Sequence, residues 1–382
     1  MAKKTSKKKY SRSAISTIIF VLIVVVLALA YYFLRPQLNK ILSNRTNNAD
    51  SSASTSVNQI IKQAKNDGDL KVHFISVGQA DSIFIEFPTG DTMLIDAAEA
   101  SSSDKVVSYV SSLDVKTIDY VLLTHQDADH AGGMEAVFKN FEVKNALRPA
   151  VYSKYTKYDL PADFNVGKSD STSKASTTKT YYNYLKSIYE EPGCKWSVFN
   201  KDSDIIFTAN DESGEYSYDC TLDFLTPTAA PEDIAYKKEN NFSPIILLEY
   251  AGRKLLLTGD AEKEVEQELI AYYSGYDKDY FDVDFLKVGH HGSKTSSTEN
   301  FISLIKPEYS IISCGLDSES QKYCPWQVTL DTLKDADSTV YRTDLQGNIV
   351  LTVSKDGTFR IQTERECNDY SLMLTGYAPT EP

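Results

Sequence analysis

The segment LLTHQDADHAGG, residues 122–133, sets two histidines and two aspartates within six positions directly behind an apolar run. The run IDYVLLT, 118–124, reads as a strand, and residues just past a strand end form a loop whose side chains can converge on one point. His125, Asp127, Asp129 and His130 are therefore a compact set of nitrogen and oxygen donors suited to a divalent metal. The chain has only five histidines, and two of them stand here. Two more strand ends repeat the arrangement. LLLTGD, 255–260, places Asp260 directly after an apolar run, and FLKVGHHGS, 285–293, places His290 and His291 after another. A polar surface turn accounts for one such cluster but not for three.

Working outward, KVHFISV (71–77), DSIFIEF (81–87) and TMLIDA (92–97) are three strand-like runs in quick order, a meander rather than a βαβ winding. A helix is expected over DKVVSYVSSL, 104–113. GGMEAVFKNF, 132–141, puts Met134, Val137, Phe138 and Phe141 on one helical face. The rhythm returns from PIILLEY (244–250) to TFRIQ (358–362), with helices expected over 261–273 and 298–305. The fold class is thus α/β, two stacked sheets with helices outside. Residues 151–222 break the pattern: a Ser/Thr/Lys-rich stretch runs into YYNYLKSIYE and is expected to hold a loop and one helix.

The chain has 382 residues and a formal net charge of −13. Residues 1–12 carry six positive charges and no acid, so a basic tail precedes an acidic body. Ala14–Leu34 is uncharged over a length that spans a bilayer at ~1.5 Å per residue. With Lys and Arg before it, this segment predicts a single-pass anchor with the body outside the cytoplasm. Ala28-Leu29-Ala30 also fits a signal-peptide cleavage site. The expected organisation is a basic cytoplasmic tail (1–13), a transmembrane anchor (14–34), a flexible linker (35–69), a folded body (70–363) and a loosely attached C-terminal tail (364–382). Cys314 with Cys324, and Cys194 with Cys220, are local disulfide options. The odd fifth cysteine and the sequence alone leave the connectivity open.

SVGQADS (76–82), HQDADH (125–130), NNFS (240–243), LLLTGD (255–260), LKVGHHGSKTS (286–296) and YRTDLQGNIVLTV (341–353) together resemble the metallo-β-lactamase fold. Within it they resemble most closely the hydrolase domain of the ComEC competence proteins. The resemblance covers roughly residues 70–363 and omits the membrane channel of those proteins. It implies an αββα sandwich with two divalent metal ions, zinc or manganese, at one edge. His125 and Asp127 would bind one metal, Asp129, His130 and His290 the other, and Asp260 would bridge them. Asp129 and His291 are the catalytic candidates, His291 as a donor to the attacked group or leaving oxygen. Asp96 would support the histidine loop from behind, and Asp81 would help hold the first hairpin against the site. His73 reads as a strand histidine without a catalytic role.

Three departures from the family pattern stand out. Asp127 replaces a histidine, which shifts preference toward harder ions such as manganese. No histidine lies between His130 and His290, and Asn241 is the candidate for the empty region. QKYCPWQV (321–328) replaces a His-Pro loop, with Trp326 a candidate for stacking on substrate. Ser293 and Lys294 are candidates for touching a substrate phosphate. The implied activity is hydrolysis of phosphodiesters by metal-activated water, with DNA among the candidate substrates. The acidic body argues against broad DNA affinity, which relies on Lys and Arg, and keeps a nucleotide or cell-surface phosphodiester in view. The alternative is a non-catalytic competence-accessory or surface-binding module with an incomplete site. The HxDxDH cluster points away from β-lactam hydrolysis.

Overall fold

The computed structural model describes residues 58–63, 65–152, 160–161, 164, 179–214, 216–276, 278–317, 322–367 and 369–377. The expected anchor Ala14–Leu34 lies outside the described residues. No described helix is long and apolar enough to cross a membrane.

Period-two alternation builds two eight-stranded sheets. In spatial order the first is Phe359–Thr363, Ile349–Val353, Leu70–Phe74, Ile83–Glu86, Thr92–Ile95, Thr117–Leu122, Glu142–Arg148 and Lys195–Val198. The second is Asn58–Gln63, Ile205–Asn210, Ser217–Phe224, Ile246–Tyr250, Arg253–Leu257, Phe285–Lys287, Tyr309–Ile312 and Thr339–Arg342. The expected meander is present: Phe74 pairs with Ile83 and Ile83 with Ile95, both antiparallel.

Alternation then sorts the side chains into three apolar layers. Val72, Phe74, Ile85 and Met93 face Phe207, Leu222, Leu248 and Phe285 between the sheets. Phe84, Leu94 and Val121 point the other way, under Val106 and Val110 of helix Ser103–Ser112, Val137 of helix Met134–Asn140 and Tyr184 of helix Lys179–Glu190. Leu247, Leu256 and Leu286 face outward from the second sheet. They pack against Val265 and Leu269 of helix Lys263–Tyr272, Phe301 and Ile302 of helix Glu299–Ile305, and Leu330 of helix Gln327–Asp335. The result is an αββα sandwich.

Within each sheet an antiparallel run gives way to parallel strands. Thr92–Ile95 and Thr117–Leu122 run parallel, as do Arg253–Leu257 and Phe285–Lys287. Loops at the carboxyl ends of parallel strands are where open α/β sheets gather functional groups. Asp96, His125, Asp260 and His290 all follow such strand ends.

Three expected boundaries differ. Within the expected linker, Asn58–Gln63 forms a strand parallel to Ile205–Asn210. Its side chains are mostly polar because it lies at the sheet edge, so no apolar period announced it. Residues 151–222 contain the expected helix and also the strands Lys195–Val198, Ile205–Asn210 and most of Ser217–Phe224. The expected loose tail is docked. Met373 is buried, and the buried Arg342 guanidinium donates to the carbonyls of Leu372 (3.0 Å) and Thr375 (2.7 Å) while pairing with Asp344 (2.7 Å). Cys194, Cys220, Cys314 and Cys367 are free thiols, so neither local disulfide option forms, and Cys314 donates to Asp344.

Candidate metal centre

Asp96 ends its strand with a left-handed backbone (φ 57°) that turns the carboxylate back under the histidine loop. It accepts from the Thr124 amide (2.8 Å), the Thr124 hydroxyl (2.7 Å) and His130 Nδ1 (2.7 Å). A proton fixed on Nδ1 leaves His130 Nε2 as the free lone pair, the arrangement metal-binding histidines commonly use. His130 Nε2 lies 3.3 Å from Asp260 Oδ2. His125 Nδ1 is engaged by Ser243 Oγ (3.2 Å) and Thr124 Oγ1 (3.1 Å), and its Nε2 lies 3.7 Å from Asp127 Oδ2. Ser243 Oγ also accepts from the Asp260 amide (3.1 Å), tying the two strand ends together.

The adjacent histidines of the last cluster take different positions. Both have left-handed backbones, φ 48° for His290 and 55° for His291, so the turn points their rings apart. His291 is buried. Its Nδ1 faces the Ser313 carbonyl (3.0 Å), and its Nε2 lies 3.5 Å from both Asp129 Oδ2 and Asp260 Oδ2. His290 sits at the rim with 26% of its side chain exposed. It contacts Thr295 Oγ1 (2.9 Å) and Asn240 Nδ2 (3.3 Å), 3.7 Å from Asp260.

Asp129, His130, Asp260 and His291 form the larger of two clusters among the described residues whose candidate ligand atoms lie within 4.8 Å of one another, the other being Asp81, Asp96 and His130. The structure brings His125 and Asp127 beside the larger cluster and leaves His290 at its edge. It places His291, expected as a donor, among the candidate ligands.

The donor set fits a divalent cation. Among the described residues, His125 Nε2, His130 Nε2, His291 Nε2 and Asp260 Oδ1 are buried and have no hydrogen-bond partner, a costly state unless a ligand completes it. The electrostatics agree. Burial opposes charge on Asp260, yet His291, His130 and His290 hold its carboxyl well below the usual carboxylate range. Burial likewise opposes ionisation of Asp129, but contact with His291 and the charge of His130 hold its carboxyl low. Burial would lower His291, but Asp260 and Asp81 push it up to about 10, and Asp260 and Asp96 raise His130 well above its ordinary value. Sites that bind protons this tightly present concentrated negative charge, which a cation would also occupy. At the rim burial outweighs Asp260, so the His290 imidazole is held below its ordinary range.

Other expected contacts lie elsewhere. Asn241 Oδ1 accepts from the Glu262 amide (3.1 Å) and its Nδ2 donates to Glu264, so it braces a helix start. His73 contacts Glu86 of the neighbouring strand (3.1 Å) and Tyr109 of helix Ser103–Ser112 (2.9 Å), away from the cluster. Lys294 lies with its ammonium 4.2 Å over the Trp326 ring. Ser243 and Thr124 escaped sequence reasoning. NNFS was legible only as a motif, and nothing in it marks the serine as the link between His125 and Asp260.

The sandwich and the strand-end cluster coincide with a family pattern. The model of the metallo-beta-lactamase superfamily matches residues 75–188 and 242–316. The chain has the metallo-β-lactamase fold. It is similar to ComE operon protein 3 of Bacillus subtilis (strain 168), 29% identical over 317 residues, covering 78% of this chain and 35% of that protein. It is also similar to competence protein ComA of Neisseria gonorrhoeae, 22% identical over 295 residues, covering 77% and 34%. The chain thus spans about a third of the length of these two relatives. Among solved structures, the metallo-beta-lactamase fold protein YhfI from Bacillus subtilis aligns with a TM-score of 0.40 at 10% identity, covering 74% of this chain and 98% of that one.

Proposed function

We propose that this protein is a metal-dependent hydrolase of phosphodiesters, anchored by residues 14–34 with its catalytic body outside the cytoplasm. The observation that carries the hydrolase reading is the convergence of four partnerless buried atoms, on His125, His130, His291 and Asp260, beside ionised Asp129. Divalent cations would supply Lewis acidity there, making hydroxide available near neutral pH and neutralising the oxygens of the attacked group. His125 and Asp127 would hold one ion, Asp129, His130 and His291 the other, with Asp260 between them.

The chain's own groups then do the rest. Asp96 keeps the His130 proton on Nδ1, and the Ser313 carbonyl does the same for His291. Asp129, held ionised, would accept a hydrogen bond from the attacking water and orient it. His290, near Thr295 and partly exposed, would be within reach of a substrate entering at the rim. Lys294 and Trp326 supply a cation and a ring face at the same rim.

The similarity to competence proteins makes single-stranded DNA a candidate substrate, alongside small phosphodiesters that tolerate an acidic surface. The carboxylate-rich set favours manganese over the zinc of imidazole-rich sites. The testing experiment is a turnover screen of the full chain against single-stranded DNA, duplex DNA, RNA and bis-p-nitrophenyl phosphate, with Mn²⁺ and Zn²⁺ added separately. Turnover of at least one phosphodiester, abolished by chelator, is expected. One observation favours a second reading: Asn241, the candidate to replace the missing histidine, is engaged with Glu262 and Glu264 rather than the cluster. A non-catalytic binding module would retain metal and turn over none of the four.

A further inference from the structure

The sequence motifs VGQADS and LKVGHHGS come from different sheets, and a buried ion pair joins them. Lys287, the last residue of strand Phe285–Lys287, is fully buried. Its ammonium lies 2.6 Å from Asp81 Oδ2 and donates to the Val288 carbonyl at 3.0 Å. Asp81 stands in the loop between the first two strands of the other sheet and is also buried. Its second oxygen, Oδ1, pairs with His291 Nδ1 at 3.4 Å and has no other partner among the described residues.

A buried ion pair is a poor way to gain stability, because desolvation consumes most of the attraction. An apolar pair would serve packing as well. The location suggests a different use. His291 sits in a turn with two successive left-handed non-glycine residues, a conformation that persists only where its surroundings enforce it. The Ser313 carbonyl and Asp81 are the groups facing His291 Nδ1. Asp81 is itself close enough to Asp96 and His130 to act as a ligand. The ammonium of Lys287 already occupies the cation position on that carboxylate.

We propose that Lys287 and Asp81 are positioning residues: a built-in cation ties Asp81 down, keeps it from ligating, and directs its free oxygen to hold His291 with Nε2 toward Asp129 and Asp260. The inference rests on the cluster being a metal site, as the function reading requires.

The test uses the full chain stripped of metal, with Mn²⁺ and Zn²⁺ affinity measured by competition with a chromogenic chelator and the thermal midpoint measured in EDTA. Lys287→Met leaves Asp81 buried and unpaired, so the midpoint falls. The double variant Asp81→Asn/Lys287→Met removes both charges. Its midpoint in EDTA recovers toward wild type, but its metal affinity stays about 10–100-fold weaker, the usual effect of losing a group that orients a ligand. Affinity within threefold of wild type in the double variant shows that the pair only packs, and overturns the proposal. If the double variant does not fold, the charge-balanced and more polar Asp81→Asn/Lys287→Gln carries the same comparison: about tenfold weaker binding supports positioning, and unchanged binding refutes it. A wild type that binds neither ion overturns this inference and the hydrolase reading together. Since the readout is affinity, absence of turnover by metal-loaded wild type registers separately, against the hydrolase reading alone.

Discussion

Asp96→Asn isolates the hydrogen bond that fixes the His130 tautomer. The aspartate is buried and accepts three hydrogen bonds, two from Thr124 and one from His130 Nδ1 at 2.7 Å. An asparagine of the same shape retains one oxygen. If that oxygen stays with Thr124, the new amide N–H meets His130 Nδ1 and drives the ring proton to Nε2, which then cannot bind a cation. If it turns to His130, an amide N–H meets the Thr124 N–H instead. Either way one charge-assisted hydrogen bond is lost, about 1.5–3 kcal/mol. At 1.4 kcal/mol per decade, this corresponds to roughly 10–100-fold in metal affinity, the range seen when groups that orient metal-binding histidines are replaced. The assay is chelator competition on metal-stripped protein, with circular dichroism to confirm the fold. A dissociation constant within threefold of wild type in a folded Asp96→Asn protein would refute the tautomer argument.

Asp260→Ala removes the carboxylate whose Oδ2 lies 3.3 Å from His130 Nε2 and 3.5 Å from His291 Nε2. Metal content by elemental analysis and phosphodiester turnover are expected to fall together, with far-ultraviolet dichroism unchanged. Asp223 is pushed up to about 6 by burial and by the charges of Asp204 and Glu249. Its folded value exceeds the unfolded one, so the folded state holds the proton longer and stability falls as pH rises from about 3.9 to about 6. Asp223→Asn should therefore raise the thermal midpoint at pH 7 and leave it unchanged at pH 3.5, read by melting across that range. Truncation after Asp369 strips Arg342 of its tail carbonyls and should cost roughly 2–4 kcal/mol in urea unfolding, with metal affinity retained.

Much of this architecture was legible because apolar alternation is a local signal. KVHFISV, DSIFIEF and TMLIDA announced three strands, and His125, Asp260 and His290 announced themselves by following apolar runs. The less legible parts depend on contacts between distant residues. Lys287 ends a strand of one sheet, Asp81 sits in a loop of the other, and the two carry no mutual mark in the sequence. Two adjacent histidines look alike on paper. Only a turn with both backbones left-handed decides that His291 enters the cluster and His290 stays at the rim. Strand Asn58–Gln63 was hidden by polar edge residues, and the tail by the absence of any sign that Arg342 would reach it.

Strand Ile349–Val353 occupies an interior place in its sheet, between Leu70–Phe74 and Phe359–Thr363. Its register sets Ile349 opposite Phe74 and Val353 opposite Leu70. Leu70, Val72 and Phe74 emerge from the ribosome early, and their neighbour emerges about 275 residues later. At about 5–20 residues per second that is a delay on the order of 15–60 s. Throughout it an apolar strand has one edge open to pairing with any other nascent chain. Asp96, His125, His130, Asp260 and His291 are all synthesised before the missing strand. The order of translation thus makes the cation-binding end of the sandwich available first and leaves closure of the sheet to the last few dozen residues, the interval in which a holdase would have most to protect.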